Sequence, residues 1–483
     1  MTKKKTASRA GSAVAKGAWR LARVLAATGG RLLYGDQTTG FAGVCTDSRA
    51  IAPGELFVAL RGENFDGHAY LAQAVEKGAA GLVVETEPAA KFTVPVVQVA
   101  DTLRALGDLA AYRRRLFPKL KVVGITGSCG KTTVKEMVAA IFSIRHKIIK
   151  TEGNFNNLIG LPLSLLPVTA AHEFAILEMG MNRPGEIARL TEIAAPDIAC
   201  INNVHGAHLA GFGDISGVVA AKGELFATAG AAATLVVNSD DRRVAKLAKS
   251  CPQKKITYGR ASGAMVRGLY PRSCGQEGMA FTLKIGDHEA RYLKIRGLGV
   301  HNVQNALAAA AIAWAAGLDF AEITAGLAAF VPYEKRLQVQ ELAGGVKLLN
   351  DAYNANPASM LAALETLQGM GGEQRKVVIL GDMLELGLQA KAAHETLGRQ
   401  VAAFAFDTLL TAGEFADTVA GAARKAGMAK NKARSFADKT EISDWLRREI
   451  ASGALASGDW VLLKGSRGMR METITNGLLA GQD

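Results

Sequence analysis

The stretch VVGITGSCGKTTVKEM, residues 122–137, constrains this chain more than any other. An apolar run rich in valine gives way to a glycine turn and then to a helix-forming segment, the order of a buried strand, a loop and a helix. Glycines at 127 and 130 let backbone N–H groups turn inward on phosphate oxygens, and the helix start presents its positive end to an anion. Gly127, Ser128, Cys129 and Gly130 are therefore expected to cradle a nucleotide, continuing through Lys131, Thr132 and Thr133. Lys131 would reach the β- and γ-phosphates and Thr132 would place a hydroxyl on Mg²⁺. Position 125 is Ile, so the longer G-x-x-x-x-G-K-[ST] pattern is not met and the motif is a G-x-x-G-K-T variant. Cys129 is read as loop filler, not as a nucleophile.

At 483 residues the chain exceeds what a single compact core serves, and several domains are expected. Short strands alternate with helices in GELFVAL, HAYLAQAVEKGAAGLVVE and VPVVQVAD, then again in EFAILEMG, PDIACINNV and AATLVVNSD. A third series, GVKLLNDAY, RKVVILGDM, DTLLTAG and GDWVLLKGS, follows Pro332. That alternation predicts an α/β chain with mainly parallel sheets. MAFTLKIGDHEARYLKIRG reads as an antiparallel interruption. The expected division is a basic disordered extension over 1–17, a small α/β domain over 18–110, a central phosphate-loop domain over 111–332, and a Rossmann-like domain over 333–483.

The formal charge of +13 raises the question of nucleic acid. Eight basic residues precede the first acid, Asp36, which leaves only +5 for the rest, so no nucleic-acid partner is inferred. No apolar run reaches the roughly 20 residues a membrane helix needs, and the start lacks a secretory core. Five scattered cysteines without metal spacing fit a reducing cytosol, so a cytoplasmic location is expected; a monomer is expected separately, the sequence carrying no signal of oligomeric state.

Two residues carry chemistry only in context. Glu178 ends the strand EFAILEMG, where open α/β sheets place their ligands, and can serve as a Mg²⁺ ligand beside Thr132. Lys222 lies in GVVAAKGELF, among Val218, Val219, Ala220, Ala221, Leu225 and Phe226. On residues alone it reads as a snorkelling lysine, its stem on apolar surface and its ammonium wet.

The loop, TEGNFNNLIGLPLSLL, AILEMGMNRPGEI, NNVHGAHLAGFGDISGVVAAKGELF and GLGVHNVQNALAAAA together resemble the Mur ligases. These are ATP-dependent enzymes that join amino acids to a UDP-linked muramoyl precursor. DAYNANPASM, GDMLELG and KGSRGMRME are similar to the member that adds D-alanyl-D-alanine to UDP-N-acetylmuramoyl-tripeptide through an acyl phosphate. The likeness runs from about Arg31 onward. It implies two Mg²⁺ ions, and conversion of Lys222 by CO₂ to a carbamate that serves the second ion with His208. It implies adenine contacts from His301, Asn302 and Asn305, and a γ-phosphate contact from Asn156 or Asn157. Asp351 would meet the ribose and Arg336 the phosphates as the last domain swings about a hinge near 331–334. Tyr353 and Asn354 would face the dipeptide, and Ser48 and Arg49 the UDP end of the muropeptide. Lys464 and Arg467 are left open between binding phosphate and capping an edge, His68 is read as structural, and His205 as structural or solvent-facing. Another Mur-type ligase, a folylpolyglutamate synthase, or a regulatory P-loop ATPase remain the alternatives.

Overall fold

A computed structural model describes residues 19–62, 65–206 and 209–479; the extension expected over 1–17 lies outside them. The chain forms two compact units. One gathers Met1–Leu120, Thr151–Glu173 and Glu192–Ala195, and the other gathers Lys121–Lys150, Phe174–Thr191 and Pro196–Asp483.

In the first unit, β1 (Trp19–Arg20) pairs antiparallel with β3 (Gly40–Phe41), with α1 (Leu21–Thr28) following β1. The remaining strands are β2 (Arg31–Tyr34), β4 (Val44–Cys45), β5 (Leu56–Val58), β6 (Gly81–Val84) and β7 (Val96–Gln98). They form one sheet in the order β2-β7-β6-β5-β4, parallel except for β2. Phe57, Leu71, Leu82, Val84 and Val96 make its core, with α2 (Leu71–Glu76) contributing Leu71 and Ala74. Asp101 caps α3 (Thr102–Arg115) by accepting from Arg104 N–H. α3 packs on α5 (Gly160–Leu165), and the buried Arg113 guanidinium donates twice to Val168 O, at 2.9 and 2.6 Å.

The second unit holds two sheets. The larger contains β8 (Lys121–Thr126), β9 (Ile148–Lys150), β10 (Phe174–Glu178), β11 (Ile198–Ile201), β12 (Thr234–Asn238) and β13 (Lys254–Gly259). β14 (Val266–Ser273), β15 (Met279–Ile285) and β16 (Arg291–Ile295) extend it. The order is β16-β15-β14-β13-β12-β11-β8-β10-β9, with parallel pairing from β9 to β14 and antiparallel pairing in the last three. α4 (Lys131–Phe142) and α10 (Val300–Ala316) pack together with the run Ala306–Ala311 almost wholly buried. Small side chains let helices approach closely. α11 (Phe320–Ala329) adds Gly326, where a Cβ would come within 2.3 Å of Ile141 Cα on α4.

The smaller sheet contains β17 (Gln338–Glu341), β18 (Lys347–Asp351), β19 (Lys376–Leu380), β20 (Thr408–Ala412), β21 (Ala433–Phe436) and β22 (Trp460–Lys464). Its order is β17-β18-β22-β19-β20-β21, parallel except for β17. The alternation expected from the sequence is therefore present in all three sheets. The predicted antiparallel interruption is β15 and β16, which pair antiparallel with each other and, through β15, with β14 at the edge of the larger sheet. No helix among the described residues is long and apolar enough to cross a membrane.

Candidate active site

The phosphate loop begins where β8 ends and is held from behind by the exit of its neighbour β11. Ile201 pairs with Thr126, which brings residues 202–205 alongside the loop. Ser128 N–H donates to Asn203 O at 3.0 Å and Cys129 N–H to Asn203 Oδ1 at 2.9 Å. Asn202 Nδ2 and Asn203 Nδ2 both donate to Cys129 O, at 2.9 and 3.0 Å. Ser128 Oγ donates to His205 O and accepts from His205 N–H, each at 2.9 Å. Asn202 and Asn203 carried no expectation from the sequence. Their signal was two amides directly after a buried strand that neighbours the loop strand. His205 meets the loop through its backbone N–H and C=O.

Gly130 closes the turn with φ +79°, and a Cβ there would lie 2.4 Å from Asn305 Oδ1 and 2.8 Å from Asn202 Nδ2. Both the backbone conformation and the space demand glycine. Asn305 Oδ1 accepts from Asn202 Nδ2, and Asn305 Nδ2 donates to Asn302 Oδ1 at 2.9 Å. Asn302 Nδ2 donates in turn to Leu298 O. The two asparagines three residues apart on α10 are thus a buried strut between that helix and the loop. The helix is capped by Gly299, not by their side chains. His301 borders this strut, and burial pushes its imidazole down to about 4, opposed by the Asp351 charge and assisted by Lys464.

Three basic side chains converge on the loop. Lys131 Nζ donates to Gly127 O at 2.9 Å, and Lys222 Nζ donates to the same oxygen at 3.1 Å. Lys222 lies on α8 (Ile215–Thr228), whose start Asp214 caps by accepting from Ser216 and Gly217 N–H. Only 1% of Lys222 is exposed, so the snorkelling reading fails. Burial, reinforced by the Lys131 charge, holds its pKa well below the usual lysine value. Arg336 Nη2 donates to Thr132 Oγ1 at 2.8 Å, and that hydroxyl donates to Glu178 Oε2 at 2.7 Å. Thr132 and Glu178 are both buried. Glu178 reaches the loop because β10 is the neighbour of β8 on the side away from β11.

The smaller sheet supplies the rest. Asn356 caps α12 (Pro357–Gln368) through a capping box with Ser359, and its amide contacts Cys129 Sγ at 3.3 Å. The Arg336 guanidinium lies 4.0 Å from the Tyr353 ring centroid and that of Arg467 5.0 Å from it. Asp351 forms an ion pair with Lys464 and accepts from Leu337 N–H at 3.2 Å. Asn354 is exposed, with its side chain accepting from Ala355 N–H at 2.9 Å.

Other expected residues belong to the first unit or lie outside the described residues. Ser48 Oγ donates to Gln73 Oε1 at 2.9 Å, and Arg49 pairs with Asp47 at the surface. Asn157 Oδ1 accepts from Ile159 and Gly160 N–H, at 3.1 and 2.8 Å. His68 is held between Asp66 and Glu85 N–H, as a structural histidine. His208 lies outside the described residues. Among the described residues, no group of three or more His, Cys, Asp or Glu side chains could hold a metal unaided.

Family models match three successive segments: Mur ligase family, catalytic domain (41–114); Mur ligase middle domain (125–313); and Mur ligase, glutamate ligase domain (335–467). The chain is 36% identical over 461 residues to the UDP-N-acetylmuramoyl-tripeptide–D-alanyl-D-alanine ligase of Haemophilus influenzae, covering 94% of this chain and 96% of that one. The chain belongs to the Mur ligase family. It is accordingly an ATP-dependent ligase that forms amide bonds. Crystal structure I of MurF from Acinetobacter baumannii superposes with a TM-score of 0.88 at 33% identity, covering 95% of this chain and 98% of that one. MurF of Thermotoga maritima, solved in complex with ADP, gives 0.78 at 28% identity over 90% and 96% of the two chains.

Proposed function

We propose that this Mur ligase joins D-alanyl-D-alanine to the terminal carboxyl of UDP-N-acetylmuramoyl-tripeptide, a step of peptidoglycan synthesis. The reaction consumes ATP and passes through an acyl phosphate. The observation that carries the chemistry is the convergence of Lys131, Lys222 and the Thr132–Glu178 pair on one glycine loop. Full-length likeness to the D-alanyl-D-alanine-adding ligases carries the choice of substrates. Amide formation in water is uphill, so the carboxylate first takes the ATP γ-phosphoryl group. The amine then attacks the acyl phosphate and expels phosphate. Lys131 and Arg336 would hold the phosphate oxygens, offsetting the repulsion between two anions. Asn302 and Asn305 would set the adenine side, Asp351 the ribose, and Tyr353 and Asn354 the dipeptide. Ser48 and Arg49 would hold the UDP end, and Asn157 the γ-phosphate. We take 18–110, 111–332 and 333–483 as the corresponding domains of a cytoplasmic monomer.

The residues fit a magnesium ion. A buried hydroxyl and carboxylate 2.7 Å apart offer hard oxygen donors, and nucleotide and water oxygens complete such sites. When bound, the ion neutralises charge on the β- and γ-phosphates. A second ion requires a further anionic ligand, and Lys222 can become one. Burial and the neighbouring Lys131 charge lower its pKa, which favours the neutral amine that carbamylation needs, and that amine would add CO₂ to give a carbamate and release a proton. His208 would join it.

The test is the product mass from purified protein given ATP, a defined UDP-tripeptide and D-Ala-D-Ala. A product heavier by the dipeptide less one water is expected, with phosphate release dependent on both acceptors. Phosphate release independent of both, with no new product, would favour a regulatory ATPase. L-Glutamate in place of the dipeptide should give no product, and turnover with it would indicate a glutamate-adding ligase.

A further inference from the structure

Lys464 is one of the most deeply buried charged groups in the smaller sheet, with 1% of it exposed. It ends β22, in direct register with Asp351 at the end of β18. Its Nζ meets two acceptors, Asp351 Oδ2 and Asn354 O, the latter at 2.9 Å. Each leads toward the phosphate loop by its own route.

Through Asp351, the amine fixes a carboxylate whose other oxygen accepts from Leu337 N–H. Leu337 has φ +50°, a left-handed conformation that a leucine adopts only when its surroundings impose it. Arg336 directly precedes it, so the pinned peptide sets the direction from which the guanidinium reaches Thr132 Oγ1. Through Asn354 O, the same amine anchors the loop between β18 and α12. That loop carries Tyr353, on whose ring Arg336 stacks, and Asn356, which touches Cys129 Sγ.

We propose that Lys464 is a positioning residue for the ligation. Its buried ammonium fixes both the backbone behind Arg336 and the ring beside it, and so holds the guanidinium aimed at the phosphate loop. It acts through Asp351 and the 352–356 loop. This rests on the proposed function.

Lys464→Met keeps the stem and removes the charge, leaving Asp351 without its partner. The KM for ATP should rise and kcat fall, each by about tenfold or more, since small misplacements of a clamp cost on the order of 10²-fold. Binding of the UDP-tripeptide, measured directly by calorimetry, should stay within about twofold. Lys464→Gln retains one donor without the charge and should fall between Met and wild type. It also serves if Lys464→Met fails to fold. Wild-type values of KM and kcat per folded molecule in either soluble variant, with only melting temperature lowered, would make Lys464 merely structural and overturn the proposal. If wild-type protein forms no dipeptide product, the proposed function fails instead, and that outcome is read before any variant is made.

Discussion

The phosphate loop and the Asp47–Arg49 pair of the first unit handle polar side chains in opposite ways. At the loop, partners come from far along the chain. Thr132 meets Glu178 46 residues on, Lys222 reaches Gly127 across 95, and Asn202 meets Asn305 across 103. Most of these groups are buried, and their geometry is fixed before any ligand arrives. In the first unit, Arg49 bonds to Asp47 only two residues away, and 82% of its side chain is exposed. An exposed pair of this kind contributes little to stability and exchanges readily for another anion. The contrast separates two kinds of site: a preorganised one that acts on the transition state, and an adaptable one that only binds.

Substitutions at the loop should therefore strike kcat, and substitutions at the Asp47–Arg49 pair should strike KM. The largest effect is expected at Lys222. Lys222→Met should lower turnover by about 10³-fold or more, in the range seen when a preorganised charge is lost. Nucleotide binding, followed by calorimetry, should survive. The same variant should be more stable than wild type. A lysine whose folded pKa is depressed binds its proton less readily than the unfolded chain does. Stability therefore rises as pH climbs from the folded pKa toward about 10.4. Lys222→Met should remove that slope from melting temperature against pH.

Glu178→Gln comes next. It keeps the hydrogen-bonding shape but loses the anion that suits a divalent cation, so turnover should fall about 10²-fold or more. The Mg²⁺ concentration for half-maximal nucleotide binding should rise. Arg49→Ala should raise the KM for the UDP-tripeptide about tenfold while leaving kcat and melting temperature near wild type. A kcat loss there as large as at Lys222 would erase the contrast between the two regions. The smallest effect concerns His301. Its folded pKa of about 4 lies below the free value of 6.5, so the unfolded chain takes up the proton first as pH falls. Stability should decline between pH 6.5 and 4, and His301→Gln should flatten that part of the melting curve.

The same contrast explains what the sequence revealed. Strands such as KVVGIT, FAILE and WVLLK are continuous apolar runs because parallel sheets bury both faces. β9, β17 and β21 drew no expectation: IIK is three residues long, while QVQE and ARSF are short strands rich in polar groups. The loop was legible because glycines, a lysine and a threonine adjoin one another in sequence. The Asn202–Asn305–Asn302 strut was half visible, since Asn302 and Asn305 share a helix face but nothing local tied them to Asn202. Lys222 on its own residues pointed to a wet surface, and only the family resemblance moved it inward. Lys464 was left open because its partners, Asp351 and Asn354, lie more than a hundred residues away.

Isotope transfer tests the central claim most directly. UDP-tripeptide labelled with ¹⁸O in its terminal carboxylate is turned over with ATP and D-Ala-D-Ala, and the released phosphate is weighed. One labelled oxygen per phosphate is expected, because the phosphate expelled from the acyl phosphate carries an oxygen from the carboxylate. Unlabelled phosphate alongside full amide formation would contradict activation of the carboxyl at the glycine loop.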